Sequence, residues 1–112
     1  EVNFSLDSDT LNKIRRAASA LGHSELSIAN TQGAVRLSIV DSANATSNVF
    51  SIDVEGSYPE GAEFNFIMNV NNLKIVDEDF HVMISSKLIS HFTSKQSDIE
   101  YYIALEKSST YK

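Results

Sequence analysis

Cysteine is absent from this chain of 112 residues. That excludes disulfides and thiolate metal sites, and it leaves the compartment open, because oxidising and reducing locations both tolerate cysteine-free domains. Glycine occurs only four times, scattered, and proline once, so no glycine-rich phosphate loop can be assembled. No apolar run approaches the roughly 20 residues of a membrane-spanning helix, and the opening residues carry no signal-peptide pattern. The chain begins at Glu1 rather than methionine, as expected of a processed or excised fragment. Histidine is scarce too. His23, His81 and His91 show no metal-type spacing, and His91, set among alternating residues, reads as a strand histidine rather than a general base. The serines lack a nucleophile-elbow context. Asp77, Glu78 and Asp79 form either a cation site or a plain solvated turn. Neither a metal nor a cofactor is implied, and an enzyme is not expected.

Basic residues are outnumbered, nine against 15 acidic, for a net charge of −6. The total argues against nucleic acid unless the few cations collect on one face. Length and a hydrophobic fraction of 42% suit one compact domain with a real core.

Periodicity gives the layout. Val2, Phe4 and Leu6 alternate as a half-buried strand, and Asp7-Ser8-Asp9 supply acceptors and charge for a helix start. Leu11, Ile14, Ala18 and Leu21 recur at helical spacing, with Gly22 as the terminating residue. Three alternating runs follow: Leu26 and Ile28; Val35, Leu37 and Ile39; Phe50, Ile52 and Val54. Gln32-Gly33 marks a tight turn, and the polar stretch Ser42 to Asn48 separates the second run from the third. Residues 56–61, with the proline and two glycines, read as a crossover loop.

The pattern then restarts. Phe64, Phe66 and Met68 alternate, Leu73 and Val76 suggest one or two helical turns, and strands follow at 80–84, 88–94 and 99–105. Phe4 meets Phe66, Leu6 meets Met68, Asp7 meets Asn69, Leu11 meets Leu73 and Ile14 meets Val76, all at an offset of 62. Downstream the offset drops to 56, Leu26 meeting Val82 and Ile28 meeting Ile84. The chain is thus strand–helix–three strands written twice, in units of about 2–56 and 62–107. The class is α+β: mostly antiparallel sheets with two helices on one face.

On the first helix the side opposite the apolar stripe carries Asn12, Lys13, Arg16 and Ala20, with Arg15 on a flank; Lys74 lies on the second helix beside Leu73. Cations on an exposed helix face are either a solvated surface or a phosphate-facing one. In the last strand Glu100, Tyr102, Ala104 and Glu106 share the outward face. A tyrosine beside a small alanine is either an ordinary cross-strand residue or room for a partner side chain.

The duplicated unit resembles the building block of DNA sliding clamps. The segment Glu63-Phe-Asn-Phe-Ile-Met-Asn-Val-Asn-Asn-Leu-Lys-Ile75, the ending Tyr101-Tyr-Ile-Ala-Leu-Glu106 and Ser108-Ser-Thr110 look like the C-terminal domain of the clamp of T-even-type bacteriophages. Tyr101-Tyr-Ile-Ala104 is also similar to the last strand of proliferating cell nuclear antigen. The resemblance runs from Val2 to Thr110.

It implies a single clamp domain over 1–112, the C-terminal half of a two-domain subunit, three of which close head to tail around double-stranded DNA. Lys13, Arg16, Lys74 and Arg15 would then face phosphates. Tyr102 and Ala104, bordered by Leu88, would take an anchor from DNA polymerase or clamp loader; Leu105 stands where the cellular clamp has proline. The edge strand Val49, Phe50, Ser51, Ile52, Asp53 and Val54 would pair with the next subunit, unless Asp53 and Glu55 blunt it. Such a protein is a processivity factor without cofactor or membrane partner, working in the cytoplasm of an infected bacterial cell. The alternative is a stand-alone α+β structural or ligand-binding domain.

Overall fold

In a computed structural model, the chain is described at residues 2–21, 25–41, 44–73, 75, 78–107 and 109–111, with backbone only at 21, 40, 41 and 44–49. The elements in chain order are β1 (Val2–Leu6), α1 (Ser8–Leu21), β2 (Glu25–Thr31), β3 (Ala34–Asp41), β4 (Asn44–Val54), β5 (Gly56–Ser57), β6 (Phe64–Asn69), a 3-10 turn (Val70–Leu73), β7 (Phe80–Ser85), β8 (Ile89–Ser94), β9 (Glu100–Ala104) and β10 (Thr110–Tyr111).

They build two five-stranded antiparallel sheets, ordered β5-β1-β7-β8-β9 and β10-β6-β2-β3-β4. Each unit lends its first strand to the other unit's three-stranded meander: β1 lies on β7, and β6 lies on β2. Phe4 pairs with Val82 where Phe66 pairs with Ile28, and Leu6 with Phe80 where Met68 pairs with Leu26. In space, therefore, Leu26 corresponds to Phe80 and Ile28 to Val82, an offset of 54 rather than 56. Alternation has a period of two, so a slip of one pleat leaves the in–out pattern intact and cannot be detected from it.

One core fills the space between the sheets and under α1. Phe66, Phe80, Phe92, Leu11, Ile14, Met68 and Leu73 are fully buried in it. Phe80 meets Phe92 edge-on at 6.0 Å, and Phe64 stacks on Phe66 at 5.3 Å.

Helix α1 starts where Asp7 accepts the Thr10 amide at 2.8 Å, an N-cap that satisfies one of the free first-turn donors. That bond, followed by one from the Thr10 hydroxyl, holds the Asp7 carboxyl below the usual carboxylate value. Asn69 holds the equivalent place in the second unit and accepts the Asn71 amide at 2.9 Å. The helix expected there is, over Val70–Leu73, a single 3-10 turn. Val76 and Lys74 lie outside the described residues, so α1 is the one α-helix among those described.

Three further features differ from the expectations. Strand β4 begins at Asn44, so most of the polar stretch expected to be a connection belongs to a strand, with an irregular register against β3. Gly56–Ser57, expected to open a loop, forms β5 against β1, and Thr110–Tyr111 forms β10 against β6. Residues of two-residue strands carry no measurable alternation; they pair because the sheet edge beside them offers a ladder. Tyr58 and Tyr111, each just beside these strands or in them, close over Phe64 at 5.1 and 6.3 Å.

Candidate nucleic-acid and partner surfaces

Along α1 the burial alternates as an amphipathic helix requires: Leu11, Ile14 and Ala18 inside, Asp9, Lys13, Arg16 and Ala20 outside. Lys13 and Arg16 are three apart and so neighbour each other on the solvent side. Lys13 pairs loosely with Asp9, one turn back, at 3.7 Å. With 48% of the lysine side chain and 79% of the aspartate exposed, such a pair is worth only a few tenths of a kcal/mol, about 0.3–0.5. The ammonium is therefore easily diverted to another anion.

Arg15 is placed differently. It is half-buried, and its guanidinium donates from Nε to the Leu73 carbonyl at 2.9 Å, and from Nη2 to the carbonyls of Leu73 and Ile75. Of the four cations expected to face phosphate, the structure brings Lys13 and Arg16 together on one open face and ties Arg15 to the second unit. Lys74 lies outside the described residues.

The start of α1 is anchored from the second unit as well. The Ser8 amide donates to Asp79 Oδ1 at 2.8 Å, and Gln96 donates to Asp79 Oδ2 at 2.7 Å. Glu78 accepts from Ser94 and Ser97 at 2.9 and 2.8 Å. These carboxylates are thus occupied as hydrogen-bond acceptors. Asp77 lies outside the described residues, and among the described ones no group of three or more His, Asp or Glu could hold a metal ion.

On the outer face of the sheet built by β1 and β7–β9, Met83, His91 and Tyr102 form one cross-strand row. The His91 and Tyr102 rings stack 4.3 Å apart and 3° from parallel, and His91 Nε2 lies 3.3 Å from Glu100. Tyr102 is 64% exposed, Ile89 43% and Met83 40%, and Ala104 beside Ile89 is exposed too. Tyr102 and Ala104 also line an open depression of about 380 Å³ with Asn72, Ile75, Tyr101 and Ile103. The parity expected of this strand is found from Glu100 on, with Ile103 and Leu105 buried and Glu100, Tyr102, Ala104 and Glu106 outward. Ile99, expected on the inward face with Tyr101, Ile103 and Leu105, lies just before β9 and is exposed, because the ladder with β8 begins only at Glu100.

Leu88 does not line that depression. It sits in the β7–β8 turn with φ 66°, packs on the core, and its carbonyl accepts the Leu105 amide at 2.9 Å. Ile75 and Asn72 line the depression although no sequence signal singles them out, because they reach it only through the fold. His91 could have been noticed as an outward residue opposite Tyr102 in adjacent strands.

Strand β4 ends its sheet, hydrogen-bonded on one side to β3. Its outward Asp53 receives a forked pair of bonds from Arg36 at 2.8 and 3.2 Å. That bond keeps the Asp53 carboxyl below its usual value and the Arg36 guanidinium above its own. Phe50, Ile52 and Val54 turn partly inward, Ser51 and Asp53 outward. The Val49 side chain lies outside the described residues.

Two sheets that exchange their first strands around one core, with a helix whose open side carries Lys13 and Arg16, define a DNA-clamp type of domain. The family described as the C-terminal domain of the gp45 sliding clamp matches residues 3–107, and the chain belongs to that family. It is 32% identical over 105 residues to a sliding clamp of Vibrio phage KVP40, covering 92% of this chain and 46% of that protein. The chain thus spans about half the length of the curated relative it matches. Among the described residues no helix is long and apolar enough to cross a membrane.

Proposed function

We propose that this chain is the C-terminal domain of a phage DNA polymerase processivity factor, a ring that encircles duplex DNA and tethers the polymerase. The observation that carries the reading is the pair Lys13 and Arg16 on the open side of α1, in a family-matched domain whose net charge is −6. An acidic body repels DNA from most directions, and a basic helix face is the surface compatible with it. Contacts to phosphate need no base-specific residues, so the ring can slide. The role is mechanical rather than catalytic.

In this reading a second domain of similar size completes the subunit, and three subunits close the ring. The chain's two units are pseudo-symmetric, and the 3-10 turn Val70–Leu73 of the second stands where α1 stands in the first. The free side of β4 pairs with the next subunit. The Tyr102 and Ala104 depression receives an apolar or aromatic anchor from polymerase or clamp loader. The work takes place in the infected host cell.

The test is charge reversal at Lys13 and Arg16 in the full-length clamp. The double variant should slow loading or shorten processive synthesis while its thermal unfolding stays put. Unchanged synthesis would remove α1 from the DNA face.

A further inference from the structure

The half-buried cation on α1 has the most specific geometry of the three. Arg15 reaches across 58 residues of sequence to the Leu73 carbonyl and across 60 to that of Ile75. The Leu73 carbonyl ends the 3-10 turn, where a short helix leaves acceptors without intrahelical partners, and the Ile75 carbonyl lies two residues beyond it, outside any element. A planar guanidinium with several donors in a fixed fork can satisfy two such carbonyls at once, and an ammonium cannot do so in the same geometry. Ile14, next to Arg15 in sequence, and Leu73, which supplies one of the two carbonyls, are both fully buried. A second tie, from the Ser8 amide to Asp79, fixes the start of the same helix to the other unit.

An α-helix packed through Leu11, Ile14 and Ala18 alone can roll about its axis by small amounts, and each roll swings the opposite face. With Asp79 holding the first turn and Arg15 the middle, that freedom is removed. We infer that Arg15 is a positioning residue rather than a phosphate ligand: it braces α1 against the second unit and thereby fixes the direction in which Lys13 and Arg16 point. This rests on the DNA-facing reading of α1 and assigns Arg15 a different task within it.

The experiment uses the full-length clamp with Arg15→Gln, Arg15→Lys, Lys13→Gln/Arg16→Gln, and the combination of Arg15→Gln with that double variant. Two quantities are measured: amide hydrogen exchange across residues 8–21 and 70–75, and the salt dependence of clamp retention on DNA. Both Arg15 variants should speed exchange by about tenfold, the size of one charge-assisted hydrogen bond. Arg15→Gln should shorten retention with an unchanged salt slope, whereas the double variant should flatten the slope by about one counterion per lost contact. In the combined variant the Arg15 change should add nothing further to the loss of retention, because it acts through the other two side chains.

Full rescue of retention and exchange by Arg15→Lys, or a salt slope flattened by Arg15→Gln, would overturn the proposal in favour of a direct phosphate contact. Arg15→Lys keeps the charge and carries the test if the glutamine variant fails to fold. Retention insensitive to the Lys13/Arg16 double variant would instead refute the DNA-facing reading, and the exchange rates would then decide the brace alone.

Discussion

Replacing Gly56, in β5, by alanine should destabilise the domain by more than the same change at Gly33 or Gly61. A Cβ built at Gly56 lies 2.6 Å from Val35 Cγ2, 2.7 Å from the Asn3 carbonyl oxygen and 2.9 Å from Phe4 Cβ. Relaxed carbon contacts sit at about 3.5–4.0 Å, so the methyl overlaps three neighbours by roughly an ångström. Two of them are backbone or Cβ atoms of β1 and cannot swing aside. The third belongs to Val35, which is fully buried and stiff at χ1. Overpacking of this kind costs about 1–3 kcal/mol, and the immobility of the neighbours places Gly56 at the upper end. Near 3 kcal/mol, the melting temperature falls by about 10–15 °C for a domain of this size. Gly61 is the control: its φ is +80° but nothing lies within 4 Å of a Cβ, so alanine there meets only the left-handed backbone penalty of about 1–2 kcal/mol. Urea unfolding monitored by circular dichroism measures both. A Gly56→Ala loss under 0.5 kcal/mol, or one smaller than at Gly61, would refute the packing of β5 between β1 and β3.

The remaining predictions concern the cap, the strained turn and the outer face. Asp7→Ala should cost about 1 kcal/mol at neutral pH through loss of the N-cap. Because the folded carboxyl is held below its unfolded value, its contribution is present above about pH 4 and is lost as pH falls through the folded value. Asp7→Asn should therefore flatten the acid limb of the stability profile, and an unaltered limb would contradict the assignment. At Leu88, with φ 66°, glycine should be the milder truncation: Leu88→Gly should unfold at higher urea than Leu88→Ala by about 1 kcal/mol, reversing the usual order of these residues. Tyr102→Ala should leave stability within about 0.5 kcal/mol yet weaken binding of a polymerase or loader tail peptide by about tenfold in calorimetry. Equal peptide affinity would move the partner surface elsewhere.

Much of this fold is written in local pattern. Alternation located β1 and the meanders, and the 3.6-residue stripe located α1. Asp7 and Asn69, matched through the repeat, are both found capping the following turn. What escaped was whatever depends on distant partners. Strands β5 and β10 exist because β1 and β6 lie open beside them, and the pleat-sized error in the second offset is invisible to alternation. The stretch from Asn44 into β4 is polar yet paired, because an edge strand needs only a backbone ladder.

The candidate surfaces divide along the same line. Helical spacing sufficed to put Lys13 and Arg16 on one open face, and strand parity sufficed for Tyr102 and Ala104. Spacing put Arg15 only on the flank of that face, and it was the resemblance that made it their companion; its carbonyl partners, 58 and 60 residues away, leave no local signal. Ile75 and Asn72 join Tyr102 only through the packing of the second unit's turn against β9.

Topological attachment is the central claim of the proposed function, and it has a direct readout. The full-length clamp, loaded onto a nicked circular duplex and freed of loader, should stay bound for as long as the circle is closed. Cutting that circle once with a restriction enzyme should release it within the time needed to slide to an end, at any salt concentration that leaves the ring intact. Equal lifetimes on the circle and on the cut duplex would mean that the protein holds DNA by surface contact, and that no ring surrounds it.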